Sequence, residues 1–205
     1  MVDEPPRQHY LRKDARRGMI VAAAQALILE KGCAALRTRG VAARAGINIS
    51  TLHFHVATKS DLLRLAAETT RDDFLALLPP APDPGRCARD QLRAEVQAYH
   101  DSLRDRPDLA ACFSQLAQIA PSEPGIGALI EAFTRDWCGR YAEILALGRA
   151  QGVFRADLEP LAGALMITGA LSAFGPRGPG GLALFWPVYG EIERGLLARQ
   201  TGGTT

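Results

Sequence analysis

Two histidines stand two residues apart in the stretch RAGINISTLHFHVATKSDLL, residues 44–63, between a glycine and a threonine of helix-capping type. Imidazoles bind metals, move protons or donate hydrogen bonds to a larger polar surface. On a helix, a spacing of two turns His53 and His55 roughly 200° apart around the axis, so they do not grip one ion together. The cysteines, Cys33, Cys87, Cys112 and Cys138, are scattered, with no C-x-x-C pair and no Cys/His cluster. They read as buried or idle thiols rather than a zinc site or a disulfide framework. The glycine-rich GPRGPGG at 175–181 has prolines that remove backbone donors and no following Lys-Ser/Thr, so it reads as a connector and not a phosphate cradle. An enzyme built on His53, His100 or Cys112 would lack a recognisable nucleophile and base; neither a G-x-S-x-G elbow nor an H-E-x-x-H pair occurs. No catalytic residue, metal or cofactor is assigned, and the histidine stretch is left as a surface that meets something larger.

Helices along the chain would carry that surface. Ile20, Ala23, Ala24, Leu27 and Ile28 recur at helical spacing within a first helix from about Tyr10 to Lys31, stopped by Gly32. Thr38 is expected to cap a short second helix carrying Val41, Ala42 and Ala45. Gly46 ends it, and Asn48 caps a third helix through about His55. Leu52 and Val56, four apart, face inward; Phe54 is grouped with them as core. Helix, tight turn, helix is the pattern of a helix-turn-helix, whose second helix lies in the DNA major groove. Thr58 to Asp61 resembles a capping box and opens a fourth helix, 59–78, ended by Pro79. Further helices are expected near 86–105, 107–119, 126–151 and 159–174, with a last one inside 182–199 in which Pro187 either kinks it or marks its first turn. No segment alternates as a strand would, so the chain reads as all-α with about nine helices.

The 205 residues are 47% hydrophobic, ample for a core. Net charge is +2, unevenly spread: residues 1–64 hold 11 Lys/Arg against 5 Asp/Glu, and residues 65–205 hold 13 against 17. A basic front on a mildly acidic body suits a polyanion-binding head, since releasing condensed counterions drives nucleic-acid affinity. Arg12, Lys13, Arg16 and Arg17 read equally as solvated charge or as phosphate contacts. No uninterrupted apolar run approaches about 20 residues and the start lacks the apolar centre of a secretion signal, so a cytoplasmic protein is expected.

From Leu36 to Leu63, LRTRGVAARAGINISTLHFHVATKSDLL resembles the DNA-binding head of the TetR family of bacterial regulators. Ala45-Gly46 at the turn, Thr51-Leu52 in the third helix and Lys59-x-x-Leu62-Leu63 at the start of the fourth carry the likeness. The resemblance implies that Thr38 and Arg39 approach DNA, that Asn48, Ile49, Ser50, Thr51, His53 and His55 face the groove or its rim, and that Lys59 holds a backbone phosphate at a helix start. Three positions depart from the family pattern. His53 replaces the usual Tyr, making a phosphate contact there pH-dependent. Ile49 replaces a polar or basic residue and suits a thymine methyl. Arg37 and Gly40 replace the usual capping pair, leaving the cap to Thr38.

The division expected is a head at 1–64 and a ligand-binding and dimerisation region at 65–205. The resemblance implies a ligand cavity within helices four to seven, for which Tyr99, Phe113, Leu116, Phe133, Trp137, Tyr141 and Met166 are candidate lining and Tyr99, His100, Gln115, Gln118 and Asp136 candidate polar groups. The Ala/Gly-rich helix near 160–174 and the aromatic one after it suit close pairing with a second copy through Leu161, Leu165, Ala170, Phe185, Tyr189, Ile192 and Leu196. Together these imply a homodimeric transcriptional regulator, most simply a repressor, bound to a near-palindromic operator and released by an unidentified small molecule. The alternatives are a DNA-binding protein indifferent to ligands and, from another class, a helical enzyme.

Overall fold

The computed structural model describes residues 7–177 and 179–198, with side chains from Ala15 onward and that of Pro179 left out. Arg12 and Lys13 therefore lie outside the described side chains. Among the described residues the chain forms nine α-helices: α1 (Arg7–Ala35), α2 (Thr38–Arg44), α3 (Ile49–His55), α4 (Lys59–Leu75), α5 (Ala88–Asp105), α6 (Pro107–Ile119), α7 (Pro124–Ala150), α8 (Pro160–Ser172) and α9 (Phe185–Leu196). Two short 3-10 turns, Gly175–Arg177 and Pro179–Leu184, fill the glycine-rich connector. Among the described residues the only β pairing is an isolated antiparallel bridge from Phe154 to Leu197.

Local chemistry sets the boundaries. Gly32 leaves helical geometry inside α1 at φ 76°, so the regular helix stops at Lys31 and a last turn follows. Helix α4 ends at Leu75, short of the expected 78, because Leu77 and Leu78 bond back only three residues, to Phe74 and Leu75. Helix α7 begins two residues earlier than expected: Pro124 opens it, since a first-turn proline forfeits no helical hydrogen bond. Pro187 likewise falls in the first turn of α9.

The chain divides into two compact units, residues 1–72 with 112–130, and residues 73–111 with 131–205. Ile20, Ala24 and Ile28 of α1, Val41 of α2, Leu52 of α3, Leu62, Leu63 and Ala66 of α4, and Leu116 and Ile126 form the core of the first unit. The second is centred on Leu92, Val96, Tyr141, Leu145, Phe154, Ile167, Leu171 and Phe185. Residues Ala15–Ala35 are, by length and a mean hydropathy of 1.4, long and apolar enough to cross a membrane. Arg16, Arg17, Glu30 and Lys31 flank that apolar middle, and its inward face is spent on the first unit's core. Cys33, Cys112 and Cys138 are buried and Cys87 is exposed. Burial pushes the Cys33 thiol up to about 11, so it stays protonated.

Candidate nucleic-acid interface

The turn between α2 and α3 is built by backbone bonds. Gly46 N–H donates to Ala43 and Ile47 N–H to Ala42, a Schellman closure in which Gly46 takes φ +65°. Asn48 then caps α3: its side-chain oxygen accepts from Thr51 N–H at 2.7 Å and from the Ser50 hydroxyl at 2.9 Å. At the other end, Thr58 and Asp61 form a reciprocal box, Thr58 N–H donating to the carboxylate at 3.1 Å and Asp61 N–H to the threonine hydroxyl at 3.1 Å, which starts α4. Thr38 does not cap α2. Arg37 occupies the cap position in extended geometry without a side-chain cap bond, and Thr38 is the first helical residue. The Arg37 guanidinium turns back instead, to the carbonyls of Ala34 at 2.7 Å and Leu36 at 2.9 Å.

With Leu52 and Val56 in the core, the rest of α3 points outward. Ile49, Ser50 and His53 are exposed, Thr51 and His55 half-buried, and Asn48 stands exposed at the helix start. Phe54 is not core. It is 79% exposed, edge-on to His55 at 5.4 Å between ring centres, so its assignment from sequence is corrected. The sequence held the signal: Phe54 lies two residues from both Leu52 and Val56, on the opposite side of the helix. The Nδ1 of His53 lies 3.1 Å from the Ala57 carbonyl, so a proton on Nδ1 leaves Nε2 facing out. Arg39 is exposed and joins no ion pair among the described residues; Thr38 beside it is half-buried. The Lys59 ammonium donates to the Ala34 carbonyl at 3.0 Å and keeps two protons for another acceptor. Arg44 is paired with Glu30 at 2.7 Å, Arg17 approaches Glu68 at 3.9 Å, and Arg16 is exposed. An outward helix face bearing hydroxyls, imidazoles and one bare aromatic, with Arg39 exposed on α2 and Lys59 at the start of α4, offers the donors and apolar contacts that read base edges and phosphates.

The remaining candidates separate by unit. Tyr99, Phe133, Trp137 and Tyr141 meet in the second unit and are all buried. Phe113 and Leu116 belong to the first unit, Leu116 within its core. Met166 is exposed on α8 beside Leu161 and Leu165, away from any buried lining, because α8 turns Gly163, Ala164, Ile167, Thr168 and Leu171 inward. Phe185, Tyr189 and Leu196 are buried in the second unit as the inward face of α9, whereas Ala170 and Ile192 are half-buried. The apolar side chains left open are Leu161, Leu165, Met166, Leu184 and Trp186, so the exposed stripe differs from the one expected. Of the polar candidates, His100 packs on Phe185 and contacts Asp101 at 3.3 Å, the main-chain carbonyl of Gln115 accepts from the Cys33 thiol, and Gln118 and Asp136 are exposed. Among the described residues no group of three His, Cys, Asp or Glu is placed to hold a metal.

The sequence model of bacterial regulatory proteins of the tetR family matches residues 20–66, the span that holds this turn and both helices. Residues 20–66 are a TetR-family DNA-binding head. The HTH-type transcriptional repressor KstR2 of Mycobacterium tuberculosis is 24% identical over 146 residues, covering 71% of this chain and 72% of that protein. A TetR-family transcriptional regulator from Rhodococcus sp. superposes with a TM-score of 0.76 at 22% identity, over 88% of this chain and 98% of its own. A TetR transcription regulator from Haloarcula marismortui gives 0.80 at 16% identity, over 90% and 99%. The TetR-family match at 20–66 thus stands on a chain with the all-helical fold of these regulators, and the protein is a DNA-binding transcriptional regulator.

Proposed function

We propose that the chain acts as a homodimeric repressor that is held on a near-palindromic operator by the outward face of α3 and leaves it when a small molecule occupies the second unit. The observation that carries this reading is the exposed set on α3, Ile49, Ser50, His53 and Phe54, on a helix whose buried face and cap are fully committed. Arg39 and Lys59 flank it as guanine or phosphate partners, with Thr38, Thr51, His55 and Asn48 at its rim. A second copy doubles the reading head and sets half-sites about 34–36 Å apart. The open stripe of Leu161, Leu165, Met166 and Trp186 supports pairing, since apolar surface of this kind is usually covered. KstR2 is named a transcriptional repressor, which favours repression over activation, and a regulator that meets genomic DNA works in the cytoplasm.

Helix α4 links the two activities within one element. Lys59 opens it and Phe74, fifteen residues on, packs against the rings of Tyr99, Phe133 and Trp137. A ligand preferring an arrangement in which that helix is displaced lowers operator affinity by its differential affinity and no more. The test is selection of bound duplexes from a random pool, followed by release measurements with candidate ligands. Enrichment of a two-fold motif supports the reading; recovery of no motif sinks it. A motif that no ligand releases leaves the ligand-insensitive alternative.

A further inference from the structure

Two side-chain donors in the second unit are buried. The indole Nε1 of Trp137 and the hydroxyl of Tyr141 are shielded from solvent and reach no acceptor among the described residues. Such groups carry the full desolvation cost of a polar atom without the hydrogen bond that normally offsets it. Both belong to one ring cluster. Trp137 lies 5.8 Å from Tyr141, 5.0 Å from Tyr99, 6.2 Å from Phe133 in a near-parallel stack, and 5.8 Å from Phe74. Phe74 is half-buried, next to the last residue of α4, and is the least buried ring of the cluster.

The charges nearby are already answered. Glu95 is buried, and Arg140 grips it through two nitrogens at 2.6 and 2.9 Å while also donating to the Pro79 carbonyl at 2.7 Å. Burial, with Glu95 behind it, holds the Tyr141 phenol protonated far above its ordinary range, so it stays a donor. A carboxylate ligand would find donors but, among the described residues, no cation within the ring cluster, since Arg140 is held by Glu95 and Arg135 is exposed; a quaternary ammonium would find ring faces but would meet the positive ends of two N–H and O–H dipoles. Only an apolar molecule with an uncharged acceptor uses rings and donors alike.

Resting on the reading of the second unit as the effector-holding one, we propose that the cluster of Phe74, Tyr99, Phe133, Trp137 and Tyr141 receives a neutral ring compound whose carbonyl oxygen accepts from Trp137 and Tyr141. Phe74 swings aside to admit it. The rings supply most of the binding and the two donors select the carbonyl, because a site built to hydrogen-bond discriminates against an analogue lacking the group.

Fluorenone, its oxygen-free counterpart fluorene, fluorene-9-carboxylate and tetraethylammonium separate the possibilities. Quenching of Trp137 fluorescence would be titrated in the full-length Trp186→Phe protein. Fluorenone is expected to bind about tenfold more tightly than fluorene, and Tyr141→Phe to remove most of that preference while leaving fluorene unchanged. Thermal melts check the variant, which should be no less stable than its parent since the lost hydroxyl has no partner. Equal binding of fluorenone and fluorene, a preference that survives Tyr141→Phe, stronger binding of either ion, or no binding by any probe up to its solubility would overturn the assignment. Operator release separates this from the wider reading. Release by tetraethylammonium leaves a ligand-responsive repressor with a different ligand class, whereas Tyr141-dependent fluorenone binding that never disturbs the operator complex leaves the site without the regulatory role.

Discussion

Lys59 already gives one proton to the Ala34 carbonyl, which fixes its ammonium at the head of α4 with two protons to spare. Lys59→Ala should weaken binding to every DNA sequence similarly and reduce the salt slope by about 1, measured by filter binding over a range of salt. Unchanged affinity and slope would remove Lys59 from the phosphate contacts. Ile49 has no donor and stands exposed near the start of α3, so Ile49→Ala should relax preference at a single base pair by about 1 kcal/mol. Selected-site sequencing reads this directly, and a uniform loss on all duplexes would contradict it. At this scale the caps at Asn48 and Thr58-Asp61 were legible because capping depends on short, local side-chain geometry. Thr38 was not, because Arg37 takes the cap position in extended geometry and Thr38 is already helical; Phe54 is legible from its position around the helix, opposite Leu52 and Val56, and not from its hydrophobicity.

Among elements, α3 has only seven residues and depends on its cap. Asn48→Ala removes the acceptor for Thr51 N–H and should cost about 1 kcal/mol of stability in denaturant titration; a loss below a few tenths would mean that the cap is replaceable. Helix α9 is held differently. Its Glu193 is buried and accepts from Arg93 at 2.7 Å and from Arg89 at 3.2 Å, both on α5. Hydrogen bonds from Arg93 foremost hold this carboxyl down to about 2, from an ordinary 4.5. Its stabilisation is therefore complete above the ordinary value and is lost as pH falls from there towards 2. Melting temperature should drop across that window in the parent protein and less steeply in Glu193→Gln; equal slopes would dismiss the pair as an acid-sensitive tie. Helix number and order were readable from periodicity and proline placement, while the end of α4 was not, since three-residue backbone turns leave no mark on the hydrophobic pattern.

For the molecule as a whole, the proposed pairing of two copies rests on the open stripe on α8. Leu165→Glu should shift the protein from dimer to monomer in sedimentation velocity and reduce operator affinity by at least tenfold, whereas retention of the dimer would move the interface elsewhere. The basic front end was visible from charge counts alone, but the inclusion of residues 112–130 in the first unit was not, because it arises from contacts far apart along the chain such as Leu116 and Ile126 with the α1 core. The bare ring of Phe54 has a consequence for how the protein behaves in concentrated electrolyte. Ionic attraction to the backbone fades as counterions crowd the duplex, but an aromatic face lying on sugars or methyl groups loses nothing. Fidelity for the right site should therefore sharpen while total occupancy declines.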